Sequence, residues 1–193
     1  MAKKWDIMIT GCGGQGILLA SEIIAEAAML EGYDIKKADV HGMAQRGGSV
    51  ISTVRIADKV YSPLIKYGDA DILLAFELLE GYRVSKYVRD DGVFIVNTQR
   101  INPMPVASGR EKYPEGLEDK IKCNAGRVVF LNALDIAKEL GNFRAVNVVM
   151  IGVLSRLMDL KLDSWKKAIE RLVPAKHLEL NMKAFEKGRE VVG

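Results

Sequence analysis

The sequence predicts an α/β protein: a Rossmann-like three-layer domain with a mostly parallel sheet and helices on both faces. Three observations predict it. Short apolar runs of strand length alternate along the chain with segments whose apolar residues recur at helical spacing. Several of those runs are continuous, as in strands covered on both faces. No internal repeat or low-complexity tract interrupts the alternation. The 193 residues fit one domain, 1–193, with C-terminal helices from about residue 147 packing on it.

The elements follow in order. Asp6–Thr10 is an apolar run bounded by glycine and reads as a buried strand. Gly11-Cys12-Gly13-Gly14-Gln15-Gly16 is a turn. Ile17–Leu30 carries apolar residues at helical spacing, and Gly32 stops it. Tyr33–Ala38 is a second strand, and the polar, glycine-rich Asp39–Gly48 is a loop. Ser49–Ile56 alternates cleanly as a strand, with Lys59–Ser62 pairing back on it through Ala57-Asp58. Ala70–Phe76 is a buried strand, Leu78–Val88 a helix, Asp90–Gly92 a turn and Val93–Val96 another strand. Asn97–Asn124 contains Pro103, Pro105 and Pro114 and reads as a long excursion, with a short strand near Pro105–Ala107. Arg127–Leu131 is the last strand. Helices follow over Leu134–Leu140, Asn147–Met158, Ser164–Leu172 and Lys176–Val192.

Composition excludes some functions. Lys and Arg number 28 against 25 Asp and Glu, too small an excess to make nucleic acid the default partner. The longest apolar stretch, Val146–Leu154, is far too short to cross a bilayer. Met1–Trp5 leads into a strand without an apolar signal core, so the expected compartment is the cytoplasm. The two cysteines, Cys12 and Cys123, lack the spacing of a disulfide framework or a zinc site. Two thiols also cannot ligate an iron–sulfur cluster, which takes four.

The turn carries the chemistry. Gly11-x-Gly13-x-x-Gly16 lies between a strand and a helix, the context in which a phosphate can approach bare amides at a helix N-terminus. Glycine permits the positive φ and close approach that such a turn needs. An acid about 20 residues further on would bind a ribose hydroxyl, and Asp39 is the candidate. Gln15 offers a hydrogen bond to a ligand or to the neighbouring loop. Cys12, inside the turn, is expected to point into the core. A second constellation runs from His41 to Ser49. Arg46 followed by Gly47 and Gly48 can join a guanidinium to a nest of amides, suited to phosphate or carboxylate. His41 itself reads as a hydrogen-bonded loop residue.

Together the two segments resemble the gamma-type subunit of 2-oxoacid:ferredoxin oxidoreductases. The resemblance rests on Gly11-x-Gly13-Gly14-Gln15-Gly16-Ile17, on Gly42-x-Ala44-Gln45-Arg46-Gly47-Gly48-Ser49-Val50, on Val54-Arg55 and on Gly68-Asp69-Ala70-Asp71. It covers essentially the whole chain and is strongest toward the small subunit of the indolepyruvate enzymes. It implies oxidative decarboxylation of an aryl-pyruvate, with coenzyme A taking the acyl group and ferredoxin the electrons. It implies a large (alpha) partner subunit that holds thiamine diphosphate, Mg and the 4Fe-4S clusters. For this chain it implies no catalytic residue and no metal of its own. Contact with coenzyme A is implied through Gly11, Gly13, Gly14, Gln15 and Gly16 and through Gln45, Arg46, Gly47, Gly48 and Ser49. Trp5, Trp165 and the proline-rich excursion are candidate contacts to the large subunit.

Two other readings compete. One is a stand-alone NAD(P)-binding oxidoreductase, for which Tyr82-x-x-x-Lys86 offers an acid–base pair. That spacing also makes ordinary surface neighbours on a helix. The other is a non-enzymatic nucleotide-sensing module.

Overall fold

The computed structural model describes residues 4–41 and 47–192. Six strands form one sheet: β1 (Trp5–Cys12), β2 (Asp34–His41), β3 (Ser49–Ala57), β4 (Ala70–Ala75), β5 (Val88–Asn97) and β6 (Arg127–Leu131). Their order across the sheet is β2-β3-β1-β4-β5-β6. β1, β4, β5 and β6 run parallel to one another, whereas β3 is antiparallel to both β2 and β1. The expected α/β class and mostly parallel sheet are borne out.

Helices cover both faces unequally. One face carries α1 (Ile17–Met29), α5 (Ala133–Glu139), α6 (Val146–Ser155), α7 (Leu162–Leu172) and α8 (Ala175–Glu190). The other carries α2 (Leu78–Val84) and α4 (Leu117–Lys122), with Ile65 from the segment before β4 packed beside them. The alternation within β1 sends Ile7 and Ile9 to the first core and Met8 to the second. All ten residues of α6 are buried, which makes it the central helix of its layer.

Three local expectations are corrected. β3 pairs with β2 and β1, not with Lys59–Ser62, and Asp39–His41 extends β2 rather than opening a loop. Val54 and Ile56 are completely buried, so β3 belongs inside the sheet, with a strand on either side. The following segment instead lies across the sheet face. There Thr53 Oγ1 donates to the Pro63 carbonyl at 2.9 Å, and the Arg55 guanidinium donates to those of Ser62 and Leu64 at 3.3 and 3.1 Å. The stretch near Pro105 is a short helix, α3 (Met104–Ala107), with proline in its first turn, where a missing N–H costs nothing. The excursion also holds α4, whose Leu117 and Ile121 pack into the second core. Among the described residues, no helix is long and apolar enough to cross a membrane.

Candidate functional site

The glycine turn sits where β1 ends and α1 begins, at the carboxyl ends of the parallel strands. Its glycines do different work. Gly11 is the seventh residue of β1, and a Cβ there would stand 2.7 Å from Gln15 Oε1 and 2.8 Å from Phe76 Cβ. It admits Gln15 and the end of β4. Gly14 and Gly16 have φ of 101° and 79°, and a Cβ on Gly16 would also strike the Asn147 side-chain amide at 2.7 Å.

Gln15 ties the turn to its neighbours. Its Oε1 accepts from the Cys12 amide at 2.7 Å, and its Nε2 donates to the Phe76 carbonyl at 2.8 Å and to Gln99 Oε1 at 3.3 Å. Asn97, completely buried at the end of β5, donates to the same carbonyl at 3.0 Å and accepts from the Ala133 amide at 3.1 Å. Two side-chain amides thus lock together the ends of β1, β4 and β5 and the start of α5. Gln15→Ala is expected to leave the Cys12 amide unpaired and to cost about 1–3 kcal/mol, read as a lower urea midpoint at unchanged slope.

The turn and the second constellation meet. The Gly13 amide donates to the Gly48 carbonyl at 2.8 Å, and the Gly47 amide donates to the Gly13 carbonyl at 3.3 Å. Cys12 and Ser49 face each other in the β1–β3 ladder. Gly13, Gly14, Gln15, Gly16, Gly47, Gly48 and Ser49 therefore come together at the surface, Gly11 is buried and is no ligand contact, and Gln45 and Arg46 lie outside the described residues. The amides of Cys12, Gly13 and Gln15 are spent internally, the last on the Cys12 carbonyl. The turn offers a ligand fewer amides than its sequence promises.

Carboxylates stand behind it. Glu77 and Glu80, at the start of α2, are buried, and one oxygen of each lies within 4.8 Å of Cys12 Sγ. Glu77 accepts from Tyr113 OH at 2.7 Å, from the Ile101 amide at 3.1 Å and, as helix cap, from the Glu80 amide at 2.8 Å. Glu80 accepts from Ser49 Oγ and from Arg83, each at 2.5 Å. All four carboxylate oxygens are engaged, so the pair braces the turn and the β3 stem. Burial, then the Tyr113 bond to Glu77, pushes the Tyr113 phenol up and keeps it a donor. Burial, with Glu77 and Glu80 adding to it, pushes the Cys12 thiol up to about 12. Cys12 faces inward, as expected.

The sign for stability follows from an unfolded thiol near pKa 8.5. A raised folded value favours the neutral form, so this contribution is present below about pH 8.5 and is lost as pH rises toward 12. Urea titrations at pH 8 and 10.5 should show a smaller loss for Cys12→Ala than for the unsubstituted protein. At pH 8 a thiol reagent should label the exposed Cys123 alone, and both thiols once the chain is unfolded.

Sequence reasoning missed Asn97, Gln99, Glu77, Glu80, Tyr113 and Arg144. A polar residue directly after an apolar strand, as at Asn97 and Glu77, was the available signal. A cavity of about 260 Å³ opens in front of the turn, lined by Gly13, Gly14, Gln99, Ile101, Phe143 and Arg144 among others.

Asp39 does not serve the turn. β3 lies between β2 and β1, so the end of β2 is two strand spacings from β1, about 10 Å. Its carboxylate is held by Ser52 Oγ at 2.5 Å and Lys37 at 3.1 Å. In dinucleotide-binding sheets the second strand lies directly beside the first. Tyr82 and Lys86 line a different cavity with Gly68 and Val88, at the amino ends of β4 and β5. Trp165 is completely buried and is no surface contact, and Trp5 packs edge-on to Tyr33.

Against known families, the model for pyruvate ferredoxin/flavodoxin oxidoreductase matches residues 6–191. The chain belongs to this family. Within the pyruvate ferredoxin/flavodoxin oxidoreductases, it is 41% identical over 189 residues to the indolepyruvate oxidoreductase subunit IorB of Archaeoglobus fulgidus, covering 96% of this chain and 94% of that one. The crystal structure of a keto/oxoacid ferredoxin oxidoreductase gamma subunit from Geobacter sulfurreducens superposes with a TM-score of 0.73 at 28% identity, covering 97% of both chains. The fold also recurs at 22% identity and a TM-score of 0.75 in a 2-oxoglutarate:ferredoxin oxidoreductase from Magnetococcus marinus, where 98% of this chain matches 31% of that one. The expected family is thereby borne out.

Proposed function

We propose that this chain, acting as one gamma-type domain, is the small subunit of a cytoplasmic indolepyruvate:ferredoxin oxidoreductase. The observation that carries the reading is full-length likeness, at 41% identity, to a subunit named for indolepyruvate. In the reaction the bond between the carboxylate and the keto carbon breaks, and carbon dioxide leaves. The acyl group joins the coenzyme A sulfur, whose S–H bond breaks with release of the proton, and two electrons pass to ferredoxin.

Thiamine diphosphate, Mg and the 4Fe-4S clusters are assigned to the large subunit. This chain has two thiols, one buried and one exposed, against the four a cluster takes. Its buried carboxylates are committed to hydrogen bonds. The chain's own part is to shape the surface that coenzyme A meets. Gln15 and Asn97 fix the ends of three strands, Glu80 and Ser49 fix the β3 stem, and Gly13 couples the two loops. Arg46 supplies positive charge from the second loop.

The test is the complex assembled with its large subunit and supplied with an artificial electron acceptor. Indolepyruvate should be oxidised with a kcat/KM at least ten-fold above those of pyruvate and 2-oxoglutarate, and only with coenzyme A present. Preference for pyruvate or 2-oxoglutarate would overturn the substrate assignment.

A further inference from the structure

We propose that Arg144 is the cation that seats the phosphopantetheine end of coenzyme A in the cavity before the glycine turn. The inference rests on the coenzyme A reading above and adds a residue that neither loop motif contains.

The cavity has two kinds of wall. One is polar: Gly13 and Gly14 of the turn that leads into α1, and the side chains of Gln15 and Gln99. The other is apolar, built from Ile101, Leu134, Phe143 and Val146. Arg144 stands on the rim. Its guanidinium lies 5.8 Å from the centre of the Phe143 ring, and among the described residues it has no carboxylate partner. By contrast Arg55 is committed to Asp6, Arg83 to Glu80, Arg89 to Asp71 and Arg171 to Glu26.

Chain geometry holds Arg144 in place. Asn142 Oδ1 accepts from the Arg144 amide at 3.0 Å, and Ala145 and Val146 beside it are buried. Phe143 is 61% exposed, so an apolar ring and a guanidinium are presented side by side at the cavity mouth. An anionic group carrying an aliphatic arm satisfies both walls: the anion against Arg144, the arm against Ile101 and Phe143. The apolar wall decides which end of coenzyme A fits, because it suits the aliphatic arm. Cavities that enclose a whole drug-sized ligand span about 300–1,000 Å³. At about 260 Å³ this one does not enclose the whole of coenzyme A. The buried carboxylates are engaged elsewhere: Glu80 accepts from Arg83 and Ser49, and Glu77 from Tyr113 and the Ile101 amide.

The experiment uses the assembled complex and compares the unsubstituted protein with Arg144→Gln, Arg144→Lys and Arg46→Gln. Coenzyme A binding is measured by calorimetry, and KM for coenzyme A and for the 2-oxoacid by steady-state kinetics. Phosphopantetheine and adenosine 3′,5′-bisphosphate serve as competing fragments. Arg144 is exposed, so its replacement leaves the fold intact. The expected result for Arg144→Gln is a roughly ten-fold rise in Kd and KM for coenzyme A at unchanged 2-oxoacid KM. Inhibition by phosphopantetheine should weaken by the same factor and inhibition by adenosine 3′,5′-bisphosphate should not. Arg144→Lys should recover part of the loss, since it keeps the charge without the fork. Equal inhibition of both proteins by phosphopantetheine, or a loss confined to the adenosine fragment, overturns the proposal for Arg144. If Arg46→Gln also leaves coenzyme A binding unmoved, the coenzyme A reading of the whole surface falls with it.

Discussion

Gly188→Ala is expected to destabilise the protein by about 2–3 kcal/mol, lowering the melting temperature by roughly 5–10 °C. The cause is the close backbone-to-backbone crossing of α6 and α8 at Gly152 and Gly188. A Cβ on Gly188 would drive into the carbonyl oxygen of Val149 and stand 2.9 Å from its carbon. The crossing is reciprocal: a Cβ on Gly152 would meet the Phe185 carbonyl oxygen and lie 2.9 Å from Gly188 Cα. Two opposing effects are in play. Alanine is the better helix former by about 1 kcal/mol, which favours the substitution. The obstructing atoms are backbone and cannot rotate away, so the two helices must separate along a seam that includes the fully buried Phe185. Separation wins. Lys183→Ala, on the exposed side of the same helix, should change stability by less than about 0.5 kcal/mol. If both variants melt alike, the crossing is looser than described.

Arg55→Ala is expected to cost about 3 kcal/mol, because it strands a buried charge. Asp6 is 1% exposed and receives Arg55 Nε at 2.7 Å and Nη2 at 3.1 Å, a two-pronged pair across the β1–β3 ladder. Its backbone amide donates to Asp71 Oδ2 at 2.6 Å, so a second carboxylate lies alongside. Burial, first among the causes, pushes the Asp71 carboxyl up, while Arg89 at 2.7 Å opposes this. Without Arg55, the exposed Lys4 is the one cation left facing Asp6 among the described residues. The same guanidinium holds the Ser62 and Leu64 carbonyls, so the segment before β4 should loosen as well. The double variant Asp6→Asn, Arg55→Ala should recover more than 1 kcal/mol relative to Arg55→Ala in urea titration. No recovery would show that the loss comes from the loop carbonyls and not from the charge.

Much of this was legible in the sequence because local pattern and global fold agree. The runs at Asp6–Thr10, Ala70–Phe76 and Val93–Val96 fall in buried strands, Arg127–Leu131 is the half-buried edge strand β6, and the helical periods from Ile17 and from Asn147 onward are helices. Ser49–Ile56 was legible as a strand but not in its pairing. Its alternation gives the face each residue takes, whereas its antiparallel insertion between β1 and β2 depends on contacts remote in sequence. That insertion removed Asp39 from the glycine turn. The turn itself was legible as a strand-to-helix junction. Where its hydrogen bonds go was not, because Gln15 reaches Phe76, 61 residues away, and Glu80 reaches back 31 residues to Ser49. Buried carboxylates are invisible to a pattern that expects acids at the surface. Arg144 follows a helix-breaking Gly141-Asn142 and reads as surface until the fold brings it before Gly13.

The central claim is that this chain shapes a site whose cofactors its partner carries. The direct measurement is co-expression with the large subunit, followed by purification through a tag on this chain. The account predicts a complex of fixed stoichiometry that contains iron, sulfide and thiamine diphosphate and oxidises indolepyruvate only with coenzyme A. It predicts no such activity for either subunit alone. A large subunit that purifies separately and turns over coenzyme A and indolepyruvate at full rate without this chain would contradict it.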